Sequence, residues 1–268
     1  MQFPYGNLAK RKLAAKEPIF AFAVRTLRTV DVAPISSALG YDMFYVDFQH
    51  SAIDVDVCRQ MCQAGLLAGI TPLFRPPSLD SGLIGRCMDG GAMGVLAADI
   101  NTASDARALA DAALLYPMGR RSIGTGVPNL RFQDVPATEL TRRINEETLL
   151  IAMLETPQAI ENAGEIADVD GIDALMIGTN DLSLSMGVSR QFDHPLVVDA
   201  YAAAIDACTK RGKSLLMGGI RSEELYRRYI RMGAARVYMT GVDTAFLIDG
   251  ARRQYELTRK IDQGINAK

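Results

Sequence analysis

Short apolar runs recur along this chain, separated by stretches in which apolar residues return at helical spacing. The runs are IFAFAV (Ile19 to Val24), MFYVDF (Met43 to Phe48), ITPLFR (Ile70 to Arg75) and GVLAAD (Gly94 to Asp99). LLIAMLE (Leu149 to Glu155), ALMIG (Ala174 to Gly178), SLLMGG (Ser214 to Gly219) and RVYMTG (Arg236 to Gly241) complete the set. Each has the length of a strand, is nearly continuous in apolar character, and is rich in branched or aromatic residues. Strands buried on both faces read this way, and parallel sheets bury both faces.

Between the runs, VDVCRQMCQAGLLAG ends in Gly69, and SDARALADAALLY opens on Ser104, a residue type suited to an N-cap. PQAIENAGEIADV starts with Pro157, favoured in the first turn of a helix. LVVDAYAAAIDACTKRGK and SEELYRRYIRMGAA precede the last two runs and end in glycine or small-residue stops. Strand and helix alternating eight times predict an α/β fold of the (β/α)8 TIM-barrel type, as one domain over residues 1–268. A doubly wound open sheet is the alternative. The gap between the fourth and fifth runs holds GRRSIGTGVPNLRFQDVP, too irregular for a strand–helix unit, and is read as an excursion over the active-site mouth.

Composition adds exclusions. Hydrophobic residues make up 49% of 268 and charged residues 22%, enough for one large core. A formal net charge of −2 without a basic stripe argues against a nucleic-acid partner. The N-terminal segment carries Lys10, Arg11, Lys12 and Lys16 with no apolar stretch after them, so it does not read as a signal peptide, and no apolar run approaches the length of a membrane span. Cys58 and Cys62 lie one helical turn apart, without CxxC spacing. With Cys87 and Cys208 they read as free thiols in a reducing cytoplasm rather than a zinc site.

In such barrels, reactive groups sit where strands run out at the C-terminal rim. The second run ends in Asp47, Gln49 and His50, the third in Arg75 and the fifth in Glu155, while the sixth passes through GTND to Asp181. Glu155 and Asp181 follow neighbouring strands, and two hard oxygen ligands without a third protein ligand suit Mg2+ or Mn2+. Both carboxylates also fit as helix N-terminal charges. His50, with Asp47 three residues earlier and able to approach it, fits an oriented acid/base imidazole or a surface loop residue. Arg75 fits an oxyanion partner or a rim salt bridge. His194 has no such context. Asp89, just before the fourth run, can be a helix-terminal residue and nothing more, and the Met217–Gly219 glycines could admit a phosphate or simply make a turn.

These residues, in this order, resemble the HpcH/HpaI aldolase/citrate lyase family of metal-dependent 2-oxo acid aldolases, from about Phe20 to about Ala251. The likeness is carried by YDMFYVDFQHSAID, FRPPS, MDGGAMGVLAADINTASDARALADAALLYPMGRRSIG, LETPQAIENAGEIADVDGIDALMIGTNDLSLSMG and GVDTAFL. It implies a barrel of the phosphoenolpyruvate/pyruvate type, with Glu155 and Asp181 as metal ligands, His50 as catalytic histidine and Arg75 as enolate-stabilising arginine. It also implies that Asp47 and Asp89 support that histidine, Asp89 by way of a neighbouring subunit, and that the backbone of Gly178, Thr179 and Asn180 holds the substrate carboxylate. A homo-oligomer, trimer or hexamer, is implied as well, with the last helix packing on a neighbour. Gln49 stands where many members have Glu, Met153 where some have Gln, and Asp99 where many have an apolar Pro-containing turn.

The chemistry so implied is cleavage or formation of 4-hydroxy-2-oxo acids through a pyruvate-type enolate and an aldehyde. No strand run contains a lysine for a Schiff base, and Lys213 precedes the seventh on the wrong face. The rivals are a carbon–carbon lyase acting on a CoA thioester and a non-catalytic barrel that binds a 2-oxo acid.

Overall fold

The computed structural model describes residues 6–266, and eight parallel strands close into one barrel in sequence order, β8 pairing with β1. They are β1 (Ile19–Val24), β2 (Met43–Asp47), β3 (Thr71–Arg75), β4 (Gly94–Ala97), β5 (Leu149–Leu154), β6 (Ala174–Gly178), β7 (Ser214–Gly218) and β8 (Val237–Val242). All eight coincide with the apolar runs to within two residues at either end. The open sheet is thereby excluded.

Helices follow the strands: α1 (Leu8–Ala14) precedes β1, then α2 (Val32–Ala38), α3 (Val55–Ala68), α4 (Ser81–Asp89) and α5 (Ala103–Ala113) alternate with β1 to β4. α6 (Ala137–Glu147) leads into β5. α7 (Pro157–Glu161) and α8 (Ala163–Ala167) follow it as one stretch broken at Asn162, whose side chain donates to the Asn101 carbonyl at 2.8 Å. α9 (Thr179–Ser185), α10 (Pro195–Lys210), α11 (Glu223–Met232) and α12 (Asp243–Asn266) complete the chain. The cap of α5 lies two residues before Ser104: it is Thr102, because Asp105 reciprocates from the third helical position, closing a capping box. His194 caps α10, accepting from the Leu196 amide.

Side chains alternate along a strand, and that parity sorts the core into two layers. Ile19, Ala21, Met43, Leu73, Ile151, Met153, Met176, Leu216, Val237 and Met239 fill the barrel interior. Phe22, Val24, Phe44, Val46, Phe74, Leu150 and Leu154 face the helices. α1 closes the N-terminal end of the barrel: Ala9 and Leu13 join the interior cluster, the Ala9 amide donates to Thr71 Oγ1 at 3.0 Å, and buried Asn7 donates to the carbonyls of Met93 and Glu147, both at 2.9 Å. The basic residues of the N-terminal segment are thus partly spent on a plug, as in Lys10 pairing with Asp173 at 2.9 Å.

The excursion between β4 and β5 does not cover the mouth. α5 runs back from the C-terminal rim, so the chain beyond it emerges at the N-terminal rim, where Gly124, Val127 and Asn129 lie against Asp89, Met93 and Thr148. Asn129 donates to the Ala92 carbonyl there at 3.2 Å. At the other end of the chain, α12 is anchored at its start, where Asp243 accepts from the amides of Arg25, Thr26 and Leu27. Leu247, Tyr255, Leu257, Ile261 and Ile265 along its remaining length are exposed. Among the described residues no helix is long and apolar enough to cross a membrane, and all four cysteines are free and buried.

Candidate active site

The interior columns of side chains run upward into chemistry. Met43 and Tyr45 lead to Asp47, Leu73 leads to Arg75, and Ile151 and Met153 lead to Glu155, each step two residues and so the same face. Ala21 and Ala23 lead in the same way to Arg25. The result is a cleft of about 220 Å3 at the C-terminal rim, lined by Arg25, Tyr45, His50, Arg75, Met153, Glu155, Met176, Gly178, Thr179, Asn180, Asp181, Gly218, Gly219, Arg221, Met239, Gly241 and Val242. Of the residues singled out in the sequence, His50, Arg75, Glu155, Gly178, Thr179, Asn180 and Asp181 converge here.

Asp47 lies beneath this cleft, fully buried. It accepts from Arg75 Nε at 3.0 Å and Nη2 at 2.6 Å, and from Arg25 Nε at 2.5 Å. Burial works to raise its carboxyl, yet the hydrogen bonds and positive charges of Arg75 and Arg25 prevail and hold it below the usual carboxylate range. Toward His50 it accepts from the backbone amide, at 3.4 Å, and from the Gln49 amide at 3.2 Å. Asp47 therefore orders the loop that carries His50 and orients two guanidinia; its hydrogen bonds run to the histidine's backbone and not to its ring. Burial and the neighbouring Arg75 and Arg25 charges lower the His50 pKa, which favours the neutral imidazole a general base requires.

A stability prediction follows from the Asp47 pair. With Asp47→Asn, Arg75, 6% exposed, loses its counter-charge, and breaking a buried pair costs about 3–5 kcal/mol. Because the folded carboxyl titrates below its ordinary value of 3.8, its contribution is complete above that pH and disappears as pH falls through the lower folded value. Urea unfolding at pH 7 should show the full deficit, and the gap from the wild type should narrow in strong acid.

Glu155 is 7% exposed, and Asp99 donates its amide to Glu155 Oε2 at 3.1 Å. Burial, with the negative charges of Asp181 and Asp99, pushes its carboxyl up to about 7 against the opposing pull of that amide and of Arg75. Asp99 holds a left-handed backbone (φ 56°) to direct the amide inward. A Cβ on Gly178 would sit 2.5 Å from Glu155 Oε1, so the absence of a side chain there is what leaves the carboxylate room. Among the described residues neither Glu155 nor Asp181 forms a salt bridge, and no three His, Cys, Asp or Glu side chains cluster as a metal site. Two crowded, uncompensated carboxylates are a donor set that fits a hard divalent cation with open positions for a substrate.

The Thr179 hydroxyl is buried against Tyr201 Oη at 2.7 Å and the Gly218 carbonyl at 2.6 Å, which leaves its backbone rather than its side-chain oxygen for the cleft. Asp89 is absent from the cleft. It ends α4, which runs antiparallel to the strands, so it reaches the N-terminal rim and pairs with Arg121 at 2.6 Å; within its own chain it cannot support His50. Lys213 is bonded to the Ile172 carbonyl near the same rim, and no lysine lines the cleft. Arg25, Tyr45 and Arg221 went unnoticed in the sequence. Strand parity could have found the first two, whereas Arg221 stands in a turn and carries no periodic signal.

A family model described as HpcH/HpaI aldolase/citrate lyase matches residues 26–250. The chain belongs to that family. Among HpcH/HpaI relatives, the chain is 30% identical over 250 residues to the 4-hydroxy-4-methyl-2-oxoglutarate aldolase of Hapsidospora irregularis, covering 92% of this chain and 93% of that protein. It is 33% identical over 252 residues to the hydroxypyruvate/pyruvate aldolase of Deinococcus radiodurans, covering 93% and 88%. The crystal structure of an HpcH/HpaI aldolase from Desulfitobacterium hafniense superposes with a TM-score of 0.88 at 25% identity, covering 95% of this chain and 97% of that one. These matches support a carbon–carbon aldolase.

Proposed function

We propose that the chain is a divalent-metal-dependent aldolase that cleaves or forms 4-hydroxy-2-oxo acids, with pyruvate or hydroxypyruvate as the enolate partner and an aldehyde as the other. The observation that carries this reading is the convergence of Glu155, Asp181, Arg75 and His50 on one cleft. Glu155 and Asp181 would hold Mg2+ or Mn2+, which when bound supplies a Lewis acid for the negative charge that develops on the 2-oxo oxygen. Arg75, fixed by Asp47, donates to that oxygen as the enolate forms. The amides at the start of α9, from Gly178 to Asn180, meet the substrate carboxylate. In cleavage, neutral His50 takes the proton of the 4-hydroxyl, the bond between C3 and C4 breaks, the aldehyde leaves, and the electron pair passes to the enolate, whose methylene carbon takes a proton back from the imidazolium, directly or through water, to give pyruvate and neutral His50. Condensation runs the same steps backward.

We read the exposed apolar residues of α12 as a surface for a neighbouring copy in a homo-oligomer, trimer or hexamer, and Asp89 as serving the neighbour's site from the N-terminal rim. The four buried free thiols suit a reducing cytoplasm. The assay that separates this reading from a thioester lyase offers Mg2+-loaded protein a panel of 4-hydroxy-2-oxo acids beside malyl- and citramalyl-CoA. Pyruvate release from the free acids alone is the expected result; turnover confined to the thioesters would refute the proposal.

A further inference from the structure

Tyr45, Met153, Met176 and Met239 form the floor of the cleft, each two residues below a rim position on its strand: Asp47, Glu155, Gly178 and Gly241. The methionines belong to the interior cluster, and Tyr45 packs half-buried against it. A thioether donates no hydrogen bond, so the phenol is the one donor these four side chains offer. Its ring is held, because the Arg75 guanidinium lies over it, 5.7 Å from the ring centroid. Its hydroxyl has no such tie. Among the described residues it bonds to no protein group, and it is not sealed from solvent but opens on the cleft. A tyrosine in a barrel interior ordinarily finds a protein partner for that oxygen. Burial also pushes the phenol above its usual value, so the group stays protonated and able to donate at neutral pH.

We propose that the Tyr45 hydroxyl is a second hydrogen-bond donor to the 2-oxo oxygen of the bound substrate, acting beside Arg75. The proposal rests on the aldolase reading for its substrate. Position argues for that oxygen. The phenol ring lies under the guanidinium that meets it, on the β2–β3 side, whereas the amides assigned to the substrate carboxylate follow β6, across the barrel. A neutral donor gains most when the oxygen it faces becomes charged, so the contact strengthens as the enolate forms. The proton stays on the phenol throughout.

The test is Tyr45→Phe, which keeps the ring under Arg75 and removes only the unpartnered oxygen, so the melting temperature should hold. With Mg2+-loaded protein, kcat for pyruvate release from a 4-hydroxy-2-oxo acid should fall roughly 10- to 100-fold, the range of a hydrogen bond to a charged group. Calorimetry with oxalate, which puts a negative oxygen where the enolate oxygen forms, should show a similar loss of affinity. Pyruvate, with an uncharged carbonyl there, should weaken by no more than about fivefold. Wild-type kcat in the variant, equal weakening of oxalate and pyruvate, or a clear drop in melting temperature would overturn the proposal. If the wild type catalyses no aldol reaction, the aldolase reading fails, and the comparison of oxalate with pyruvate alone decides this one. A wild type that does not bind oxalate overturns it as well.

Discussion

Replacing Glu155 with Ala should bring Mg2+- or Mn2+-dependent aldol turnover down to background. Removing an outer-shell partner of a metal ligand costs roughly 10- to 100-fold, and removing one of the two proposed protein ligands should exceed that. The structure shows what holds Glu155 in place. Glu155 ends an inward column through Ile151 and Met153, the bare backbone of Gly178 makes room for its Oε1, and the Asp99 amide fixes its Oε2. Glu155→Gln keeps that shape and loses the charge. If it fails as completely as Glu155→Ala while folding normally, negative charge is what the position supplies. Titration of Mg2+ by calorimetry against both variants checks this, and a variant that binds and turns over like the wild type would remove Glu155 from the site.

Arg75→Ala should lower kcat by on the order of 100- to 1,000-fold, the usual cost of losing one oxyanion donor, with a smaller effect on KM. Burial and a double hydrogen bond to Asp47 pre-orient the guanidinium, so little ordering remains when charge develops on the substrate. Arg75→Lys should recover little, because an ammonium cannot reproduce a two-point contact with Asp47 while still facing the cleft. Equal losses in kcat and in the affinity for pyruvate would instead assign Arg75 to ground-state binding.

Much of this was legible in the residues. A strand buried on both faces leaves a continuous apolar run, and every one of the eight was visible as such, because parallel pairing in a barrel admits little else. The site was legible where it obeys strand parity: Asp47, Arg75 and Glu155 stand at the ends of inward columns, and His50 follows one directly. Arg25 obeys the same parity and was overlooked because its run ends on Val24, one residue short of it. Other features depend on the direction of travel. The excursion after α5 and Asp89 at the end of α4 both follow helices that run back toward the N-terminal rim, which places them away from this chain's own mouth. Proximity in sequence suggests the imidazole as a partner for Asp47, but it says nothing of the two guanidinia that Arg25 and Arg75 bring in from the ends of β1 and β3. Arg221 reaches the cleft from the turn at Gly219 after β7, and no linear pattern reports that.

The most direct measurement is solvent exchange of the pyruvate methyl protons, followed by NMR in D2O. It needs no aldehyde and isolates enolate formation from the rest of the reaction. Mg2+- or Mn2+-loaded wild type should exchange the methyl group, lose that activity in excess EDTA, and regain it when the metal is restored. Exchange that continues undiminished in EDTA, or a metal-loaded protein that binds pyruvate without exchanging it, would contradict the account.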